Sequence, residues 1–483
     1  MPAQRTTALV FISLALAVSG TPAASQDVKA DLAAAIDARR AGYTAIADQI
    51  WSFAELGYQE HRSSALLQQE LRSAGFTVRS GVADIPTAFV ATYGSGKPVV
   101  GVLAEFDALP GLSQAATPER RPLVAHAPGH ACGHHLFGTA TVAAAIAVKD
   151  LMARTKQPGT IRVYGTPAEE GGGGKIYMVR AGLFDGADVV LDWHPASEND
   201  AGPGTSLANK SGKFRFRGIS AHASGAPWSG RSALDGVEAM NHMVNLMREH
   251  VPDGTRIHYV ITNGGAAPNV VPDFSEVYYY VRHRDAKIVL ELWDRIQKAA
   301  DGAAMGTGTT VELEVVNGVY ALLPNEALAR AIDANLRRVG GVKYTPAERA
   351  FAEKIGATLT GGARDPAEAE RVKPFAQSDA GGSTDVGDVS WVVPNSGFNT
   401  ATWVPGTPAH SWQAVAAGGM SIGHKGMVNA AKTMAMTVYD LLTTPALVAS
   451  ARAEFERRRG PSFVYRPLIG ERKPPLDYRV NPK

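Results

Sequence analysis

Beyond residue 25 the apolar positions fall into segments of two different periods. Ala30 to Leu56 repeats apolar side chains at three- and four-residue steps, and Glu60 to Ala74 does so again before Gly75, so helices are expected there. Phe76 to Arg79, Thr87 to Tyr93 and Pro98 to Phe106 then read as strands. In the last of these Val99, Val100, Val102 and Leu103 form a nearly continuous apolar run, the pattern of a central strand covered on both faces. An Ala-rich helix over Thr139 to Met152, a strand over Thr160 to Tyr164, a helix running to Arg180 and a strand over Asp188 to Trp193 follow. This alternation predicts an α/β fold, a mixed and largely parallel sheet with helices on both faces.

From about Ser211 to Val319 the order changes. A strand (Lys213 to Arg217), a helix (Ser232 to Glu249), two strands (Arg256 to Thr262 and Glu276 to His283), a helix (Ala286 to Ala300) and a strand (Thr310 to Val316) give a βαββαβ unit. Such a unit places two helices on one face of a four-stranded antiparallel sheet, here as an insertion into the first fold. Helical spacing resumes over Asn325 to Val339, Val389 to Val393 is strand-like, a long loop carries Pro405 to Trp412, and Gly423 to Leu442 reads as a helix before a basic, Pro-rich tail. At 483 residues the chain exceeds what one core organises. The expected division is an export signal over 1–25, a catalytic domain over 26–208 and 323–445, an inserted α+β lid and dimerisation domain over 209–322, and a tail over 446–483.

Composition narrows the partners. Hydrophobic content of 45% with 19% charged residues is that of a globular protein, and 48 Lys plus Arg against 46 Asp plus Glu gives no electrostatic reason to expect nucleic acid or a membrane surface. Residues 1–25 hold a single charge, Arg5, an apolar stretch from Ala8 to Val18 and a small, turn-prone end at Thr21 to Ser25. That is the pattern of a cleaved signal, too short in its apolar part to remain as an anchor, so an exported, periplasmic or secreted protein is expected. With one cysteine there is no internal disulfide. No internal repeat occurs, and the four glycines Gly171 to Gly174 lack the Lys-Ser/Thr ending of a phosphate-cradling loop.

The candidate chemistry starts at Gly129-His130-Ala131-Cys132-Gly133-His134-His135, which sets the only cysteine among three histidines. A thiolate and a neutral imidazole two residues apart on a Gly-interrupted loop can turn toward one divalent ion. Asp107 sits at the end of the central strand, where open α/β sheets gather their functional groups. After the next strand come Glu169 and Glu170, which as neighbours in an extended segment point to opposite sides. One can bind a metal while the other takes a proton from water; acidic residues favoured by a helix N-terminus explain the pair equally well. His194 closes a third strand and adds a metal-compatible side chain on the same rim.

Taken in order, Ala104-Glu105-Phe106-Asp107-Ala108-Leu109-Pro110, Gly129 to His134, Pro167 to Gly174, His194, Ser220-Ala221-His222-Ala223 and His410 resemble the co-catalytic metallopeptidase and amidohydrolase family that includes plant auxin-conjugate hydrolases and aminoacylases. Ala266 to Pro272 and Ser383 to Trp391 resemble its bacterial p-aminobenzoyl-glutamate hydrolase branch. The resemblance runs from about residue 30 to about 475. It implies two divalent ions, zinc or manganese, bridged by Cys132 and completed by His134, Glu170, His194 and His410. It further implies Glu169 as general base and acid, Asp107 as the residue orienting a ligand, Asn269 and Arg282 as binders of a substrate carboxylate, and His222 as an oxyanion donor reaching across a homodimer formed through the inserted domain. Physics agrees in part: a thiolate has the lone pairs and charge to sit between two cations, and an arginine can meet a carboxylate with two parallel hydrogen bonds, though Arg282 is also compatible with a plain surface role. His135 departs from the pattern, standing where relatives carry Asp or Asn. Asp385 and Asp388 divide between support of the site and loop capping.

The implied reaction is cleavage of the amide in N-acyl or N-aroyl amino acids, small molecules with a free carboxylate. Two other readings stay open. A dipeptidase or carboxypeptidase needs an acidic group for the substrate ammonium, and no sequence pattern assigns one. A periplasmic binding protein could keep the fold without the chemistry.

Overall fold

The computed structural model describes Met1, residues 27–379 and residues 381–480. Apart from Met1, the residues on which the export-signal expectation rests lie outside those described.

Among the described residues the strands in chain order are β1 (Thr77–Ser80), β2 (Phe89–Ser95), β3 (Val99–Ala104), β4 (Gly159–Gly165), β5 (Val189–Leu191), β6 (His194–Ala196), β7 (Gly204–Thr205), β8 (Ala208–Arg217), β9 (Arg256–Asn263), β10 (Phe274–His283), β11 (Thr310–Val319), β12 (Ser378–Asp379), β13 (Asn395–Ser396) and β14 (Asn399–Ala401). The first sheet runs β1-β2-β4-β3-β5-β13. Strand β3 pairs parallel with both β4 and β5, and β13 extends the parallel part, while β2 is antiparallel to β1 and β4. All six residues of β3 are buried, as the apolar run requires of a strand covered on both faces. Because β3, β4 and β5 share a direction, the segments leaving their carboxyl ends open on one rim. Those segments carry Asp107, Glu169 with Glu170, and His194.

The Ala-rich helix is longer than its sequence pattern, Val28–Ala38 and Arg40–Phe53 are two helices broken at Arg39, and His61–Ser73 follows the expected span. The Ala-rich helix covers His134–Thr155 and starts at the site itself because Gly133, at φ 75°, turns the chain into it. An added Cβ at Gly133 would lie 2.7 Å from the Pro195 side chain, so glycine also lets the cysteine loop close on His194-Pro195. By length and composition alone this helix could cross a membrane, yet it is a core helix here, with 83% of its most apolar window buried.

The inserted unit has the expected βαββαβ order, its antiparallel sheet running β11-β8-β10-β9 with helices Ala233–Met247 and Ala286–Thr307. Phe214, Phe216, Met240, Tyr279 and Trp293 form a hydrophobic cluster separate from that of the first sheet.

Three segments differ from expectation. Val389–Val393 is not a strand: Val386–Ser390 is a short helix, and the strand beside β5 is β13. Val389 and Val393 are buried all the same, and a short apolar run does not distinguish a buried strand from a buried helical turn. Pro445–Arg459, assigned to the tail, is a helix whose buried Glu454 accepts from the backbone N–H groups of Glu326 and Ala327, capping the helix Glu326–Val339. The helix Pro346–Gly356, with a capping box between Thr345 and Glu348, was not anticipated.

Candidate metal centre and active site

Asp107, just past β3, organises the rim. Its Oδ1 accepts from His134 Nδ1 at 2.8 Å and its Oδ2 accepts from the Glu170 backbone N–H at 3.0 Å. That fixes the His134 tautomer and leaves Nε2 as a lone pair, the arrangement that orients an imidazole toward a metal. His194 is set in the same way, Nδ1 donating to the Pro195 carbonyl at 2.7 Å and Nε2 standing 3.5 Å from Cys132 Sγ. Burial holds His194 neutral, with its pKa down to about 4, so that lone pair is available. His410 approaches from the far side, its backbone N–H bonded to the Ala131 carbonyl at 2.9 Å and its Nε2 3.0 Å from Glu170 Oε1. Its φ of 59° is left-handed, as is that of Ala168 (58°) beside the glutamate pair, and such non-glycine strain concentrates at functional sites.

The donor atoms of Cys132, His134 and His194 lie within 4.8 Å of one another, as do those of Cys132, Glu170 and His410. The sulfur is therefore common to both groups. Glu105, His134 and Glu169 form a third such group, but His134 has only one ring nitrogen left to give, and Glu105 is already engaged. Its Oε1 meets Lys175 Nζ at 2.7 Å; that ammonium also meets Asp385 Oδ1 at 2.7 Å, all three side chains sealed from solvent.

The residues fit cations. His134 Nε2, Glu105 Oε2 and Glu170 Oε1 are buried without a hydrogen-bond partner, even though His134 Nε2 and Glu105 Oε2 are 3.1 Å apart. Lone pairs left facing one another without donors are costly, and a bound cation would satisfy them. Burial pushes the Cys132 thiol well above its ordinary range, the Glu170 charge adding to the effect, so a thiolate here needs a metal to sustain it. Glu169 lines the adjacent cavity; burial, then Glu105 and Glu170, raise its carboxyl well above the usual range, the environment of a proton acceptor.

Of the expected site residues, Cys132, His134, Glu169, Glu170, His194 and His410 converge on one cavity or its floor, with Asp107 behind them. The cavity holds about 510 Å³. Arg282 reaches its edge, Nη1 donating to the wall residue Ser383 at 3.1 Å, with Nε buried and unpartnered among the described residues. His222 and Asn269 are exposed on the inserted unit, joined through the Ala223 N–H to the Asn269 carbonyl, and neither lines the cavity of this chain. His135 turns away, its Nε2 3.1 Å from the Gly418 carbonyl and its ring beside His130.

Sequence reasoning missed four contributors: Glu105, Lys175, Glu60 and the chain end. Glu60 Oε1 accepts from the Ala168 N–H at 2.8 Å, pinning the left-handed turn before Glu169. Tyr478 hydroxyl and the Arg479 guanidinium both donate to the Glu170 carbonyl, at 2.9 and 2.6 Å. A lone charge beside an apolar segment was the available signal at Glu105 and Lys175.

Such a rim, with imidazoles, a thiol and carboxylates gathered beside a half-buried glutamate, defines a metal-dependent hydrolase. The family profile described as "Peptidase family M20/M25/M40" matches residues 101–363. Over 450 residues the chain is 43% identical to one of the two subunit types of p-aminobenzoyl-glutamate hydrolase from Escherichia coli (strain K12), covering 88% of this chain and 94% of that one. It is 32% identical to a Mus musculus Xaa-Arg dipeptidase across 85% of this chain and 88% of the relative. A Bacillus subtilis dinuclear metal binding peptidase of the M20 family has the same fold, with a TM-score of 0.57 at 17% identity over 84% of this chain and 99% of that chain. The chain belongs to peptidase family M20/M25/M40, and it is a metal-dependent enzyme that hydrolyses amide bonds. The binding-protein reading is thereby set aside.

Proposed function

We propose that the enzyme carries two divalent ions and cleaves the amide joining an N-acyl or N-aroyl group to an amino acid with a free carboxylate, p-aminobenzoyl-glutamate being the aroyl case suggested by the E. coli relative's name. The observation that carries this reading is the single sulfur of Cys132, which belongs to two donor groups at once. Cys132, His134 and His194 hold one ion; Cys132, Glu170 and His410 hold the other. Sulfur tilts the intrinsic preference toward zinc over manganese. When bound, such ions polarise a carbonyl and lower the pKa of a water.

The protein's own groups do the rest. Glu169 accepts a proton from the attacking water as its oxygen adds to the carbonyl carbon, then delivers that proton to the amide nitrogen as the C–N bond breaks. Asp107 keeps His134 and the Glu170 backbone in register. Arg282 meets the substrate carboxylate. His222 Nδ1 accepts the backbone N–H groups of Ser224 and Gly225 at 3.2 and 3.0 Å, so its Nε2 carries a proton outward as a donor. With Asn269 beside it, this donor serves the cavity of a second copy in a homodimer. The exposed edge strand β9, with Tyr259, Val260 and Ile261 uncovered beside Met243 and Leu246, supports such an interface.

Glu169→Ala tests the chemistry. The variant retains the wild-type metal content by elemental analysis and loses about 10²- to 10⁴-fold in kcat toward p-aminobenzoyl-glutamate; near-normal turnover removes Glu169 from the mechanism. A dipeptidase reading stays alongside, because the cavity does contain acidic side chains for an amine, Asp192 and Asp200.

A further inference from the structure

Asp192 follows β5 and lines the cavity two residues before His194, yet the chemistry above leaves it without a task. Its setting is built. The buried Asn395 side chain, itself anchored by donating to the Val190 carbonyl at 3.1 Å, donates to Asp192 Oδ1 at 2.8 Å. Residue 397 is glycine, and a Cβ there would stand 2.3 Å from Asp192 Oδ2, so the second oxygen keeps its place only because no side chain occupies that spot. No cation lies within ion-pair distance of Asp192 among the described residues, and the nearby Lys175 ammonium is already held between Glu105 and Asp385. A largely desolvated carboxylate with one hydrogen bond remains short of a donor. Phe137, Leu322, Leu323 and Phe398 line the same cavity with apolar surface, suited to a ring or an aliphatic body carrying a polar tip.

We infer that Asp192 is a specificity residue that accepts a hydrogen bond from a nitrogen on the acyl side of the substrate, either an arylamine or the ammonium of an aminoacyl group. The acyl side is the one concerned because like charge keeps the carboxylate-bearing amino acid away from Asp192, while Arg282 at Ser383 attracts it. The inference rests on the amide-hydrolase reading above and names the acyl class within it.

The test uses metal-reconstituted wild type, Asp192→Asn and Asp192→Ser with two substrate pairs: p-aminobenzoyl-glutamate against benzoyl-glutamate, and phenylalanyl-glutamate against 3-phenylpropanoyl-glutamate. Wild type prefers the amine-bearing member of one pair by about tenfold or more in kcat/KM, and the pair that shows the preference tells arylamine from ammonium. Both variants lose that preference while turnover of the amine-free member stays within about threefold. Equal losses on both members, or a wild type indifferent in both pairs, overturns the role of Asp192. If wild type cleaves none of the four, the proposed substrate class fails, and calorimetry decides Asp192 separately. Tighter binding of 4-aminobenzamide than of benzamide, abolished in Asp192→Asn, then supports the role, and equal binding overturns it.

Discussion

A single carboxylate at Asp107 couples two elements, one oxygen on the His134 ring and the other on the Glu170 backbone. Removing it frees an imidazole and a loop together. Asp107→Ala is expected to lower metal affinity about 10- to 100-fold, the usual cost of losing a residue that orients a ligand, read by competition with a chromogenic chelator. Cys132, His134 and His194 were visible in the sequence because few side chains bind soft or borderline cations and because each lies at the end of a recognisable element. Glu105, Lys175 and Asp192 were not. Each is a single charge inside an otherwise ordinary segment, and its meaning depends on partners brought close only by folding: Lys175 meets Asp385 across 210 positions of chain, and Asp192 meets Asn395 across 203.

The short helix Val386–Ser390 shows what a segment gains from its neighbours. Asp388 on it accepts from the Tyr465 hydroxyl at 2.6 Å and from the Tyr320 backbone N–H at 3.1 Å, under an aromatic cluster of Tyr320, Trp391, Phe463 and Tyr465. Burial is the main cause that lifts its pKa to about 7, and the two hydrogen bonds only partly oppose it. A carboxyl whose folded pKa exceeds its unfolded one favours the fold while protonated, so its contribution is complete below about pH 4 and fades as pH climbs through 7. Asp388→Asn cannot titrate. Its melting temperature relative to wild type should therefore improve steadily from pH 5 to pH 8 in thermal unfolding; a constant difference would mean that Asp388 stays ionised throughout. The sequence pattern failed at this segment because alternating valines fit a strand as well as a buried turn. The β3 run and the long helix were legible because their periods persist over many residues, although the helix start at His134 was hidden by the left-handed Gly133.

At the scale of the whole molecule, two hydrophobic cores divide the work, one carrying the donor rim and the other presenting His222, Asn269 and the β9 edge. If the second core completes the site of another copy, mixing inactive Glu169→Ala with inactive His222→Ala chains should restore activity. Random pairing puts half of the chains in hybrids, and one of the two sites in each hybrid is intact, so recovery should approach about a quarter of wild type, the ceiling for isologous dimers. Hybrids shown to form without recovery would place His222 outside the reaction. The sealed Lys175 ammonium has a different consequence. One fixed positive charge faces the carboxylates of Glu105, Glu169 and Asp385, with Asp107 and Glu170 close behind. Cells starved of transition metals would thus make a chain whose interior resists its own closure, so the trace minerals in a growth medium should govern the yield of soluble protein as well as its turnover.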